Sequence, residues 1–222
     1  DTWFDGNRTT YAVAVMDKSR AMVLYAELIE ANESSIQSLT AIPAAERNTL
    51  DAYARFDLAA TIAEANAGFV NVLSVVSPGA AAARRSGLTM AEDMRLECRK
   101  IAEKIPITVQ VENDREDRIR SAFSSVISGA GFKIAESGSR YTLQAVLRLS
   151  ETELPKNPNK FARYQVESRL TDAQNATSVL PWTISGREGH ATLPEAEHRA
   201  VRAAEKKIQT EFGAVFSDFL SR

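Results

Sequence analysis

One cysteine, two histidines and several adjacent charges are the first places to look for chemistry in this 222-residue chain. Cys98 lies beside Arg95 and Arg99, and nearby positive charge can activate a thiol. Yet Leu88, Ala91, Met94, Cys98, Ile101 and Ile105 recur at three or four, so the cysteine falls on the apolar face of a helix, where a thiol acts as a small hydrophobe. No histidine stands near it in sequence to act as its base. His190 and His198, with Glu188, Glu195 or Glu197, offer donor types that zinc accepts, but the spacing fits no zinc motif. Arg84-Arg85 could grip a phosphate or a lipid headgroup, though two adjacent arginines read as solvated charge. The carboxylates Glu112/Asp114 and Glu116/Asp117 stand at a helix start, where capping and the macrodipole explain them. Trp182 reads as core. No G-x-G-x-x-G, P-loop or G-x-S-x-G occurs, and Gly129-Ala130-Gly131 follows a helix where a phosphate cradle would open one. No catalytic residue, cofactor or metal ligand is assigned. The rival reading, a hydrolase using Cys98 or the His190/His198 pair, has nothing further behind it.

The elements that would position these residues fall into two kinds. Trp3 and Phe4 form an aromatic lead, and Tyr11–Met16 reads as a short strand. Asp17 caps a helix over 18–39, with Ala21, Leu24, Leu28, Ala31 and Leu39 as its apolar face. Pro43 breaks it. A second helix runs over 44–76, and the β-branched run at 70–76 could be helix or strand; the unbroken stripe Leu50 to Val76 favours helix. Ser77-Pro78-Gly79 stops it, 80–87 is a loop or a short helical turn, and Thr89 caps a third helix.

Beyond Pro106 the periodicity changes. Ile107, Val109 and Val111 alternate as a strand. Asn113 or Asp114 caps a helix whose buried face is Ile119, Ala122, Phe123, Val126, Ile127 and Ala130, and Gly131 supplies a left-handed end. Strands follow at 132–135, 141–149, 161–171 and 177–186, with a hairpin turn at Asp172–Asn175 and Pro181 marking an edge or bulge. Pro194 opens a final helix with Val201, Ala204, Ile208, Phe212, Val215 and Phe219 inward. The expected class is α+β. A helical N-terminal half with one short strand, residues 1–105, precedes residues 106–222. The second half is a mostly antiparallel sheet covered on one face by two helices, in the order β-α-β-β-β-β-α.

Lys+Arg of 27 against Asp+Glu of 29 gives a net charge of -2, which argues against binding nucleic acid through counterion release. A single cysteine permits no internal disulfide. No window of about 18 apolar residues stands out, so no membrane-spanning helix is expected.

Two resemblances follow from short motifs. Trp3-Phe4, then Tyr11-Ala12-Val13, then alanine-rich amphipathic helices make the N-terminal half similar to the bacterial twenty-kilodalton outer-membrane lipoprotein family, although Ala14 stands where that family has glycine. The strand Ile107–Val111, the helix ending in Gly131-Phe132 and the closing helix from Pro194 to Ala200 carry the second. They make the C-terminal half resemble envelope domains of the Tol-pathway propeller protein, the curli-secretion lipoprotein and the lipoprotein activators of penicillin-binding proteins. The resemblance implies a non-enzymatic lipoprotein on the periplasmic side of the outer membrane or the cell surface. Its signal peptide and lipid-bearing cysteine would precede Asp1, so the anchor is absent from this chain, and an envelope protein would be its partner. An alternative is a carrier holding a lipid or small apolar ligand between the long N-terminal helices.

Overall fold

The computed structural model describes residues 2–4, 10–12, 15–155 and 157–221, with side chains described from Val15 onward. The chain gathers into two compact units, Asp1–Ala41 with Leu58–Met94 and Ile42–Asp57 with Arg95–Arg222.

The first unit is helical. Strands β1 (Thr2–Phe4) and β2 (Thr10–Ala12) pair antiparallel. The expected strand over 11–16 is thus shorter at its far end: Val15 and Met16 are not strand, and 13–14 lie outside the described residues. Helix α1 (Lys18–Thr40) starts as expected at Asp17, whose Oδ1 accepts from the backbone N–H of Ser19 and Arg20. Its inner face is only in part the expected one: Leu39 packs against the core. Ile29 and Ile36 are buried, whereas Leu24 is 53% and Leu28 36% exposed. Met22, Tyr25, Ile29, Asn32, Glu33 and Ile36 turn inward instead, so two polar residues interrupt the true stripe and disguise it in sequence.

Helix α2 (Leu50–Val76) keeps helical geometry through 70–76 and begins after a short 3₁₀ turn at Ala44–Glu46. Contrary to expectation, it is long and apolar enough to cross a membrane by length and composition. Ile62, Phe69 and the Val70–Val76 run, with several alanines, raise its hydropathy. Within the first unit it acts as a packing helix, with Ala59 and Ala63 against Ile36, and Val70 and Leu73 against Ile29. Tyr25 meets Phe69 at 5.9 Å between ring centroids. Asn66, 0% exposed, accepts from Asn32 and donates to the Ile29 carbonyl and the Glu33 carboxylate. An unsatisfied buried amide would be costly, so this network fixes how α1 and α2 meet. Pro78 does not merely stop α2; it occupies the first turn of α3 (Pro78–Arg85), which needs no N–H there.

The second unit follows the expected α+β plan. After α4 (Ala91–Ala102), the order is β3 (Pro106–Glu112), α5 (Arg118–Gly129), β4 (Lys133–Ala135), β5 (Tyr141–Thr152), β6 (Lys160–Asp172), β7 (Thr177–His190) and α6 (Leu193–Lys207). The sheet reads β4-β3-β5-β6-β7. The long β5-β6 and β6-β7 ladders are antiparallel, and β3 pairs parallel with both neighbours. The Thr89 hydroxyl, expected to cap α4, donates to Glu33 at 2.6 Å. Asp114 does cap α5, but from before the helix proper: its two oxygens accept from the N–H of Arg118 and Arg120. Glu116 and Asp117 therefore precede the helix and do not fill its first turn.

α5 closes in a Schellman arrangement. Gly131 N–H reaches the Ser128 carbonyl and Phe132 N–H reaches Ile127. Gly131 takes φ +91°, a backbone conformation that glycine adopts without steric penalty. After α6 the helix passes through a π segment, Ile208–Phe212, into α7 (Gly213–Leu220). Its buried residues are Ala196, Ala200, Ala204, Ile208, Phe212, Phe216 and Leu220, each four after the last. A regular α-helix would rotate such a series steadily off its face. The wider π turn absorbs one residue and brings Phe216 and Leu220 inward in place of the expected Val215 and Phe219.

Candidate functional site

Helices α5 and α6 cover one face of the sheet. Tyr141, Leu143, Ala145 and Leu147 of β5, with Ala162, Tyr164, Val166 and Leu170 of β6, are buried under them. Trp182, half-buried on β7, sets its ring against Phe123 at 6.0 Å and Phe212 at 5.3 Å, so it belongs to this core. The core reaches the sheet edge through Gly186. It faces Tyr164 across the β6-β7 ladder, and the tyrosine ring occupies the space a Cβ would need.

Cys98 sits on the inner face of α4, 4% exposed, with its sulfur 3.8 Å from the Tyr53 carbonyl. Burial first, then the nearby Asp57 charge, push its thiol up to about 11. A protonated, buried thiol is not an activated nucleophile.

The two histidines have separate partners. Nδ1 of His190 accepts from the Thr192 N–H at 3.5 Å, and Nε2 of His198 lies 3.5 Å from Glu116. Glu195 reaches Arg199 at 3.9 Å. Among the described residues no group of three or more His, Cys, Asp or Glu is placed to hold a metal ion. His198 lines a groove of about 790 Å³ with the 113–116 loop, Leu147 to Leu149, Pro194, Glu197 and Val201. Beside it, Arg118 donates Nε and a terminal nitrogen to one Glu205 oxygen, at 3.1 and 2.7 Å. Arg84, in the first unit, directs both terminal nitrogens at Glu30 at 3.3 Å, while Arg85 is exposed. Trp3 and Phe4 lie outside the residues whose side chains are described.

At the opposite end of the sheet Arg140 and Asp172 form a two-pronged pair at 2.9 and 2.6 Å, and Gln174 N–H adds a third bond to the carboxylate. The Arg140 guanidinium holds the Asp172 carboxyl below its ordinary range. The Tyr141 hydroxyl accepts from Leu50 N–H at 3.2 Å. These groups have mutual partners, which gives them a structural role.

The other face of the sheet is polar and uncovered by α5 and α6. Register brings Gln110, Gln144, Arg169 and Pro181 into one row, with Arg148, Gln165 and Ser185 in another. A shallow hollow of about 740 Å³ runs across it, bordered by Gln110, Gln144, Arg148, Glu167, Arg169 and Thr183. Arg148 pairs with Glu167 at 2.8 Å. Sequence reading gave this face no role. Its only signal was the alternation in Phe161–Thr171, which marks a face without saying which arginines meet across strands.

No family model matches the sequence, and no curated protein matches it. Solved structures similar to part of the chain include lipoprotein GNA1162 from Neisseria meningitidis, at 11% identity over 46% of this chain and 96% of that one, with a TM-score of 0.32. A minor lipoprotein from Acinetobacter baumannii is similar at 10% identity over 49% and 92%, with a TM-score of 0.37. A third is the PelC dodecamer from Paraburkholderia phytofirmans, at 16% identity over 55% and 90%, with a TM-score of 0.33.

Proposed function

We propose that this chain is the body of a bacterial envelope lipoprotein that works as a scaffold or protein-binding module and catalyses no reaction. The lipoprotein part is supported by the sequence resemblances, which together span nearly the whole chain. The binding part is carried by one observation: a five-stranded sheet whose second face is exposed, polar and rich in arginine and glutamine. Such a face presents fixed hydrogen-bonding groups to a partner on a rigid support. Cys98 and the two histidines do not converge on a reacting centre, which accords with a binding role.

The lipid anchor is tested by labelling the full-length gene product with alkyne-palmitate in its host and weighing its N-terminal peptide. A lipid-modified cysteine is expected, and an unlabelled protein would overturn the lipoprotein reading. The binding role is tested by photo-crosslinking from Gln144 and Thr183 in living cells. Discrete protein adducts are expected there and not from the exposed Arg202 of α6. The carrier alternative draws no support from the seam between α1 and α2, where Ile36, Ala59, Ala63, Ile29, Val70 and Leu73 fill the space.

A further inference from the structure

The uncovered face holds four arginines, Arg148, Arg163, Arg169 and Arg187, against two glutamates, Glu112 and Glu167. That excess is local, since the whole chain carries -2. Glu167 is already engaged by Arg148 and by the Gln165 amide, both at 2.8 Å. Among the described residues no carboxylate pairs with Arg163, Arg169 or Arg187. Moreover, Arg163 and Arg187 stand directly opposite each other on β6 and β7. Like charges placed so repel, and a sheet gains nothing from them by itself. The arrangement is also built. Phe161 lies over Gly189, where a Cβ would come within 2.6 Å of its ring, and the Arg187 guanidinium sits 5.4 Å from the Phe161 centroid. An aromatic platform thus holds one guanidinium on the open face at the end of the strand.

β7 is the last strand of the sheet, so its outer backbone edge has no strand partner. Pro181 has no N–H to offer in the first half of the strand, while Thr183–Gly189 contains no proline. An exposed edge of this length is a template for one more strand. From this juxtaposition we infer that the outer edge of β7 from Thr183 to Gly189 binds an extended acidic segment of a partner protein. The segment adds as a sixth strand, and its alternate carboxylates reach Arg187 and Arg163. Backbone pairing gives the affinity, and the arginine pair selects the charge. This rests on the protein-binding reading above and names the chemistry of its partner.

The test uses the full chain and a fluorescent peptide alternating glutamate and threonine, with binding read by anisotropy and by amide shifts. The amides of Thr183–Gly189 are expected to shift, and raising the salt is expected to weaken binding. The double variant R163Q/R187Q is expected to weaken binding about tenfold. N-methylation of alternate peptide nitrogens on the pairing edge is expected to abolish it. Equal binding of a lysine-threonine peptide, or no effect of R163Q/R187Q with the fold intact by amide spectrum, would overturn the inference. So would arginine-dependent binding of anionic vesicles without binding of the acidic peptide, which would make this face a lipid-headgroup surface. Crosslinking separates the two readings: adducts from Gln144 but none from Ser185 would retain a protein-binding role and reject the acidic strand at β7.

Discussion

At the scale of single residues, several groups that first suggest chemistry have structural partners. Cys98 is the clearest. With its thiol raised from the ordinary 9.0 to about 11, it should resist alkylation in the native protein at neutral pH and react fully in denaturant, as mass spectrometry would show. The sign for stability follows from linkage. Between about 9 and 11 the unfolded thiol has lost its proton and the folded one has not, so stability should fall as pH rises through that window. Cys98→Ala should remove this component of the alkaline loss. Asp172 behaves in the opposite sense. Its folded carboxyl is lowered by Arg140, so its contribution is present above the ordinary carboxylate range and is lost as pH falls through the folded value. Asp172→Asn should cost about 2 kcal/mol in denaturant unfolding, since it leaves the Arg140 guanidinium without its carboxylate. Gly186→Ala drives a methyl group into the Tyr164 ring, which is 2% exposed and cannot swing away; about 1–3 kcal/mol of destabilisation is expected.

At the scale of elements, the C-terminal helix shows how one turn decides a face. The π segment at Ile208–Phe212 acts as a one-residue insertion in a helix. Deleting the exposed Gln209 should convert that turn to regular α-helix and keep Phe212, Phe216 and Leu220 inward, so the melting temperature should shift by only a few degrees. Inserting an alanine at the same place should rotate those side chains outward and lower it far more. Phe216→Ala, which empties the position the π turn creates, should cost about 3–5 kcal/mol. The short α5 relies on its ends: Asp114 accepts two N–H groups at one, and Gly131 closes the other. Thus the acidic 113–117 loop, whose Asn113 and Asp117 take positive φ, is explained by capping and needs no ligand.

At the scale of the molecule, the sheet unit recruits more chain than its strands. Leu50 N–H donates to the Tyr141 hydroxyl, and Tyr53 packs on Phe132 at 5.2 Å. A fragment of residues 106–222 lacks both partners. We expect it to melt below a version in which residues 42–57 and 95–105 are retained, by circular dichroism of the two. The arrangement of one covered and one bare sheet face places the proposed binding surface opposite α5 and α6, so core substitutions under those helices should alter stability before they alter binding.

Periodicity determined most of the α+β plan. Alternation in Ile107–Val111, Tyr141–Leu149 and Phe161–Thr171, proline at 181 and 194, and glycine at 131 are local signals of backbone geometry, and a local signal can be read without knowing what packs where. Tertiary structure decided the rest. Asn66 can lie inside α2 only because Asn32, Glu33 and the Ile29 carbonyl meet it, so the inner face of α1 could not be found in full from apolar spacing. The π turn is set by what Phe216 and Leu220 pack against. The Arg163–Arg187 pair exists only through the β6-β7 register, which joins residues 24 positions apart and is fixed by burial of the opposite face.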